Sequence, residues 1–312
     1  MHKRIMYLLI SLLIILSTLV APSAAYTADD EITILYMSNT PIISTTRSFN
    51  GFEEGRLVEL QFDIEYLYYE ELVREQVTVF GVFEYVEAPG TGCDVEAVRM
   101  VQDFDYWIVR GLNDLYGSDY PNAIRQRDAT CYYNCHSYAW YSTESDNCYW
   151  INNPYYFHWN NDYYIEVSTP AVGDIICYFD DENVNKHSGI VTAVNGQVSN
   201  GECGNSNTVE VLSKWGAAGL YQHNGYECPY TSYDNGQATT VRYYRCNHSY
   251  ICHSSITNSA QHYYECSRCG KIIWENHTFK SFLDGSRRCT KCGYVSSGGN
   301  IIMSNKSKPV EK

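Results

Sequence analysis

The sequence predicts an α+β chain: a β-rich N-terminal region, a middle unit of one helix and several strands, and a small Cys/His module at the C-terminal end. Three observations predict it. Residues 31–90 alternate in strand fashion, residues 94–213 give one helical run followed by three apolar strands, and two Cys-x-x-Cys-Gly motifs stand near the end. Composition fits a folded protein, since 45% of the 312 residues are hydrophobic and 19% charged. Asp plus Glu number 36 against 22 Lys plus Arg, for a formal charge of -14. That balance leaves no basic surplus to neutralise phosphates and argues against nucleic-acid binding.

Residues 1–25 read as a secretory signal peptide. Lys3 and Arg4 form a basic start, Ile5 to Ala21 an uncharged run of 17 residues, and Pro22-Ser-Ala-Ala25 a small-residue cleavage site. An uncleaved anchor is the alternative. Losing Lys3 and Arg4 takes the charge from -14 to -16. With no second run of that kind, the mature chain is expected to be secreted or at the cell surface, without membrane contact. Sequons at Asn247, Asn276 and Asn305 are read as accidental in a bacterial protein, because two of them abut His248 and His277.

Residues 26–92 carry the strand-like runs Glu31–Tyr36, Leu57–Ile64 and Gln76–Phe83, rich in β-branched and aromatic residues. Pro89-Gly-Thr-Gly92 closes that region. Over Asp94–Tyr116, the spacing of Val98, Met100, Val101, Phe104, Trp107, Ile108, Leu112 and Leu115 predicts a long helix entering a unit of residues 93–245. Within that unit, Asp174–Phe179, Ser188–Val194 and Val209–Ser213 read as strands bounded by Gly, Asn or Asp. Residues 246–295 form the Cys/His module, and 296–312 read as a flexible tail.

The segment Cys131-Tyr-Tyr-Asn-Cys135-His-Ser-Tyr-Ala-Trp-Tyr141 carries the clearest chemistry. Asn134 is a good N-cap, placing Cys135 in a first helical turn, where unpaired N–H groups favour a thiolate. His187 opens an apolar strand and is the candidate general base. Asn134-Cys135, then Gly173-Asp174-Ile-Ile, then His187-Ser-Gly-Ile-Val resemble the successive motifs of the NlpC/P60 and CHAP papain-like superfamily, including its amidase branches. The resemblance covers about residues 125–230. It implies a papain-like helix plus antiparallel sheet and a thiol hydrolase, with Cys135 as nucleophile and His187 as base. It also implies an orienting residue on the next strand. That slot falls nearest Ser213, a departure from the His, Asn, Gln or Glu of the family; alternation makes Ser213 the polar residue on its face, with Glu210 and His223 as alternatives in another register. The backbone N–H of Cys135 is expected to serve the oxyanion. A disulfide from Cys131 or Cys135 to Cys148 is a rival reading. The aromatics of Gly216–Tyr230 are expected either to line a groove or to pack.

Cys266-Ser-Arg-Cys269-Gly and Cys289-Thr-Lys-Cys292-Gly, with 19 residues between Cys269 and Cys289, have zinc-ribbon spacing. An all-cysteine site of Cys266, Cys269, Cys289 and Cys292 holding a structural Zn2+ is favoured. The alternative is a mixed site of His248, His262, Cys266 and Cys269, leaving His277, Cys289 and Cys292 as a second set. No His-Glu-x-x-His is present, so catalysis is not assigned to the metal. The sequence thus points to a secreted cysteine peptidase or amidase acting on peptide substrates, with peptidoglycan first. A non-catalytic extracellular binding protein, using its Tyr-rich surface and zinc module, is the alternative.

Overall fold

The structure, a computed structural model, describes residues 33–38, 53–88, 93–154, 163–234, 236–254, 260–268, 270–283, 286–296 and 301–302. The chain divides into Met1–Thr33 and Ile34–Lys312, and the architecture below is that of the second unit. The expected signal peptide, Cys269 and most of the tail lie outside the described residues.

The α+β papain-like expectation is overturned: the chain is a β-rich protein of mostly antiparallel sheets with few, short helices. A first sheet runs β1 (Thr33–Ser38), β2 (Leu57–Tyr68), β3 (Glu71–Glu87), β4 (Asp94–Met100) and β6 (Tyr149–Trp150) in that order. The α-helix α1 (Tyr106–Asp119) follows β4. A second sheet has the order β10-β13-β8-β9-β11-β12-β5. Its strands are β5 (Ile124–Arg127), β8 (Ile175–Phe179), β9 (Asn185–Val194), β10 (Gly201–Glu202), β11 (Val209–Lys214), β12 (Leu220–Asn224) and β13 (Thr240–Cys246), with β7 (Tyr164–Val167) against β13. Two small sheets complete the unit. One joins β14 (Tyr250–Ser254), β15 (Gln261–Cys266) and β16 (Ile272–Asn276); the other joins β17 (Phe279–Ser281), β18 (Arg287–Cys289), β19 (Val295–Ser296) and β20 (Ile301–Ile302). No helix among the described residues is long and apolar enough to cross a membrane.

The long helix expected from Asp94 is instead a strand followed by a shorter helix. Val95, Ala97, Val98 and Met100 are buried while Asp94 is exposed, and the run pairs along β3 from Gly81↔Met100 to Glu87↔Asp94. A helical spacing of apolar residues loses here to a partner strand offering seven paired positions. The helix starts only after Asp103, whose carboxylate accepts from the N–H groups of Phe104 and Cys131 and from the Thr130 hydroxyl.

Along β2, Val58, Leu60, Phe62, Ile64 and Tyr66 face inward, and they share one apolar core with Ile108 and Leu112 of α1 and with Tyr178, Val191, Val211 and Tyr243 of the second sheet. β8 is buried at every position and lies between β13 and β9 at the heart of that sheet. α1 rests on β2 through Gly111, where an added Cβ would stand 2.3 Å from the Leu67 carbonyl oxygen and 2.4 Å from Tyr66 Cδ2. Gly111→Ala is therefore expected to destabilise by about 1–3 kcal/mol, outweighing the ~1 kcal/mol of helix propensity it gains. Urea unfolding of the two proteins checks the sign.

Candidate functional site

Asn134 caps a single helical turn that begins at Cys135 and continues as a π-turn over Ser137–Tyr141. The Ser137 N–H donates to Asn134 Oδ1 at 3.0 Å, and Asn134 Nδ2 donates to the Ile151 carbonyl. The expected aromatic helix is thus reduced to this turn, which is pinned to β9 through Ser188. Ser188 Oγ accepts from Trp140 Nε1 at 2.9 Å and lies 3.0 Å from His136 Nδ1. The Ser188 N–H and the His136 N–H are directed at the Cys135 thiol. Ser188 is the residue after His187, so the nucleophile candidate is held against the strand that carries the base candidate.

Gly189 lets this strand lie close to β11, since a Cβ there would meet Val211 Cγ1 at 2.4 Å and Ser213 Cβ at 2.9 Å. The close approach brings Ser213 Oγ to 3.0 Å from His187 Nε2. Ser213 Oγ is also 2.7 Å from His223 Nε2 and accepts from Trp215 Nε1 at 3.1 Å. The proton positions follow from the ends of this chain. His223 Nδ1 lies 2.7 Å from the Asn224 carbonyl oxygen, which can only accept, so Nδ1 carries a proton. Burial lowers the pKa of His223 to about 4, so its ring is neutral and Nε2 is an acceptor. Ser213 must then donate to His223, and its oxygen receives from Trp215 and from His187 Nε2–H. That assigns His187 its Nε2–H tautomer and leaves Nδ1 with a lone pair. Nδ1 is buried and has no hydrogen-bond partner among the described residues.

Burial pushes both reactive groups toward their neutral forms. The Cys135 thiol rises to about 11, opposed by the N–H groups of Ser188 and His136 and by the charge of Lys214. His187 is held well below its ordinary value by burial, with His223 and His136 adding to the effect. Lys214 is fully buried and donates to the carbonyls of Thr130 (2.9 Å), Gly216 (2.7 Å) and Ala218 (2.5 Å). Three acceptors call for three N–H donors, which the ammonium form supplies, while burial draws its pKa down to about 7. Tyr230 stacks flat on His187 at 3.7 Å and 7°, and its hydroxyl senses the Cys135 sulfur. Cys135 is 5% exposed, and His187 and Ser213 are completely covered.

The site residues expected from sequence fall into place unevenly. His187 and Ser213 are hydrogen-bonded, with His223 behind Ser213; Cys135 lies beside the Ser188 backbone, and no hydrogen bond joins it to His187 among the described residues. Glu210 lies elsewhere, accepting from Asn195 and Gln222 on the exposed side. No disulfide joins the described cysteines, so Cys131, Cys135 and Cys148 are unlinked; Cys131 sits instead beside the Asp103 carboxylate. Sequence reasoning missed Lys214 and Trp215. Both adjoin Ser213 in the chain and could have been found by extending β11 past its last apolar residue; Tyr230 is among the aromatics expected to line a groove or to pack, and it packs on His187.

The metal-ligating residues form two clusters, in place of the all-cysteine set. His262, His277, Cys289 and Cys292 make one, and Cys246, His248 and Cys266 the other, with the donor atoms in each within 4.8 Å of one another. Cys266 belongs to one cluster and Cys289 and Cys292 to the other, so the described members of the all-cysteine set are not gathered around one point, while Cys269 lies outside the described residues. The mixed alternative has His248 with Cys266, and His277 with Cys289 and Cys292, as the clusters do, but His262 lies with Cys289 rather than with Cys266. In the four-membered cluster the two Nδ1 atoms are 3.3 Å apart, Cys289 Sγ is 3.8 Å from His262 Nδ1, and Cys292 Sγ is 3.5 Å from His277 Nδ1. Tetrahedral bonds to nitrogen and sulfur of zinc-site length give edges of about 3.3 Å for N···N and about 3.6 Å for N···S. The cluster is compatible with a structural metal.

No protein-family model, no curated protein and no solved structure matches the chain.

The buried histidines make the site sensitive to acid. The unfolded chain takes up a proton on His223 near pH 6.5, the folded protein only near 4, so the stability present above that window falls as pH drops through it. The loss amounts to on the order of 3 kcal/mol for His223, and His187 adds in the same direction. In urea unfolding at about pH 7 and about pH 4.5, His223→Asn is expected to lose markedly less stability than the wild type. The difference between the two proteins separates His223 from acid effects at the Cys/His clusters, and equal losses would contradict the neutral ring.

Proposed function

We propose that the chain is a secreted cysteine peptidase or amidase that hydrolyses amide bonds, with peptidoglycan peptides as the substrate class. The observation that carries this reading is the partnerless Nδ1 of His187, whose lone pair is left free by the Ser213–His223 chain on the strand against which Cys135 is held. His187 Nδ1 takes the thiol proton, the Cys135 sulfur bonds to the carbonyl carbon, and the amide C–N bond breaks as His187 returns the proton to the leaving amine. Water, activated by the same nitrogen, cleaves the thioester. Ser213 acts as a positioning residue. The Lys214 charge and the Ser188 N–H stabilise the thiolate as it forms, which matters in a site where burial disfavours it. Because Tyr230 covers His187, substrate entry requires its loop to swing away.

The motifs around Cys135, Gly173 and His187 that resemble NlpC/P60 and CHAP proteins support the reading; the architecture expected with them does not. Secretion rests on residues 1–25 alone. The same proposal assigns the cluster of His262, His277, Cys289 and Cys292 a structural Zn2+. Two imidazoles and two thiolates suit that ion, fill all four positions and leave none for water. Glu275 Oε2, 3.5 Å from His262 Nε2, stands where an outer carboxylate would orient a ligating ring.

The complete burial of His187 and Ser213 favours a second reading, a non-catalytic binding protein that retains the site. One experiment separates the two. With purified peptidoglycan peptides, the wild type is expected to release new amino groups, Cys135→Ala to release none, and His187→Ala to be slower by about 10²- to 10⁴-fold. Iodoacetamide is expected to block the wild type with Cys135 as the modified residue. No turnover, together with Cys135 reacting identically in wild type and His187→Ala, would replace the hydrolase by the binding protein.

A further inference from the structure

The second cluster, Cys246, His248 and Cys266, keeps His248 and Cys266 from the mixed set that the sequence offered as an alternative and adds Cys246, and it is independent of the hydrolase reading. Its Cys246 Sγ and Cys266 Sγ are 4.0 Å apart. That matches the S···S edge of a tetrahedron around one ion, about 3.8 Å for zinc-length bonds, and is far beyond a covalent disulfide of roughly 2.05 Å. His248 brings its ring nitrogen into the same space.

The backbone around Cys266 is built like the one around Cys289. Cys266 N–H donates to the Lys271 carbonyl and Gly270 N–H to the Cys266 carbonyl. Cys289 N–H likewise donates to the Tyr294 carbonyl, and Gly293 N–H to the Cys289 carbonyl. Gly270 and Gly293 take φ values of 68° and 73°, the left-handed region that Gly enters without strain. The Arg268 N–H also points at Cys266 Sγ, 3.4 Å away, a contact that favours a thiolate. Two turns of identical hydrogen bonding thus each present a cysteine to a waiting histidine.

We propose that Cys246, His248 and Cys266 bind a second metal ion of the zinc class, distinct from the ion assigned to His262, His277, Cys289 and Cys292, and that the two sites are interleaved along the chain. The order of ligands is Cys246 and His248 for the first site, His262 for the second, Cys266 for the first, then His277, Cys289 and Cys292 for the second. β15 therefore carries a ligand of each, His262 near its start and Cys266 at its end, both fully buried. Four residues of strand keep the two ions on the order of 13 Å apart, too far to share a ligand and close enough to stiffen one strand from both ends. Cys246 is also the last residue of β13, the neighbour of β8. The first ion therefore ties the Cys/His module to the sheet that carries His187.

Native mass spectrometry of the full chain, purified without chelator and with thiols protected, tests this. Two zinc ions per chain are expected, falling to one in the double variant Cys246→Ser, His248→Ala. Replacement by cobalt gives a readout that tolerates partial folding, since the double variant should lose part of the sulfur-to-cobalt absorption and keep the four-ligand spectrum. A wild type holding one ion, retained in the double variant, would overturn the second site while leaving the structural zinc of the other cluster standing. A wild type holding no ion would overturn both. A Cys246–Cys266 disulfide in non-reducing peptide maps would overturn the second site alone.

Discussion

Ser213 Oγ is the junction on which the candidate site depends. One oxygen accepts from Trp215 and His187 and donates to His223, which uses its donor and leaves it no idle capacity in a fully covered position. In such surroundings each member fixes the next, because a buried polar group that loses its partner costs far more than an exposed one. The serine departs from the larger polar residues of the family that the motifs resemble, and the structure shows how a small side chain can still reach. Gly189 removes the Cβ that would hold β9 and β11 apart, and His223 supplies from the next strand the bulk that Ser213 lacks.

The same burial that fixes the proton positions works against ionisation. Cys135 is pushed up to about 11 and His187 well below its ordinary value, so the pair rests as thiol and imidazole rather than as an ion pair. A reaction from that state must move the proton as substrate arrives, with the N–H groups of Ser188 and His136 and the charge of Lys214 as the available compensation. Lys214 links this to the rest of the fold. Its ammonium ties the carbonyls of Thr130, Gly216 and Ala218 together, and Thr130 is in turn held by Asp103, which lies between β4 and α1.

Much of the site was legible in the sequence, and the failures have identifiable causes. The strands around 175–179, 188–194 and 209–213 announced themselves through β-branched runs bounded by Gly, Asn and Asp, and alternation alone placed Ser213 on the inner face. Asn134 as cap was readable because its oxygen serves a backbone N–H only three residues away. What was misread depended on distant partners. Val95 to Met100 satisfies a helical spacing, and only the free edge of β3 turns it into a strand and the expected α+β architecture into a β-rich one. The Cys-x-x-Cys-Gly repeats were visible as ligands, but their partners depend on where β15 runs: the favoured all-cysteine set left His262 out and the alternative put it with Cys266, whereas it faces Cys289. Tyr230 over His187 follows from a loop path that no local pattern encodes.

The central claim is that His187 is neutral with its proton on Nε2 and its lone pair on Nδ1. Long-range nitrogen–proton correlation NMR on the full chain, with His187→Gln used to assign the ring, reads this directly near neutral pH. The account predicts an unprotonated Nδ1 and a protonated Nε2 for His187, together with a protonated Nδ1 for His223. A proton on Nδ1 of His187, or a doubly protonated ring, would contradict it.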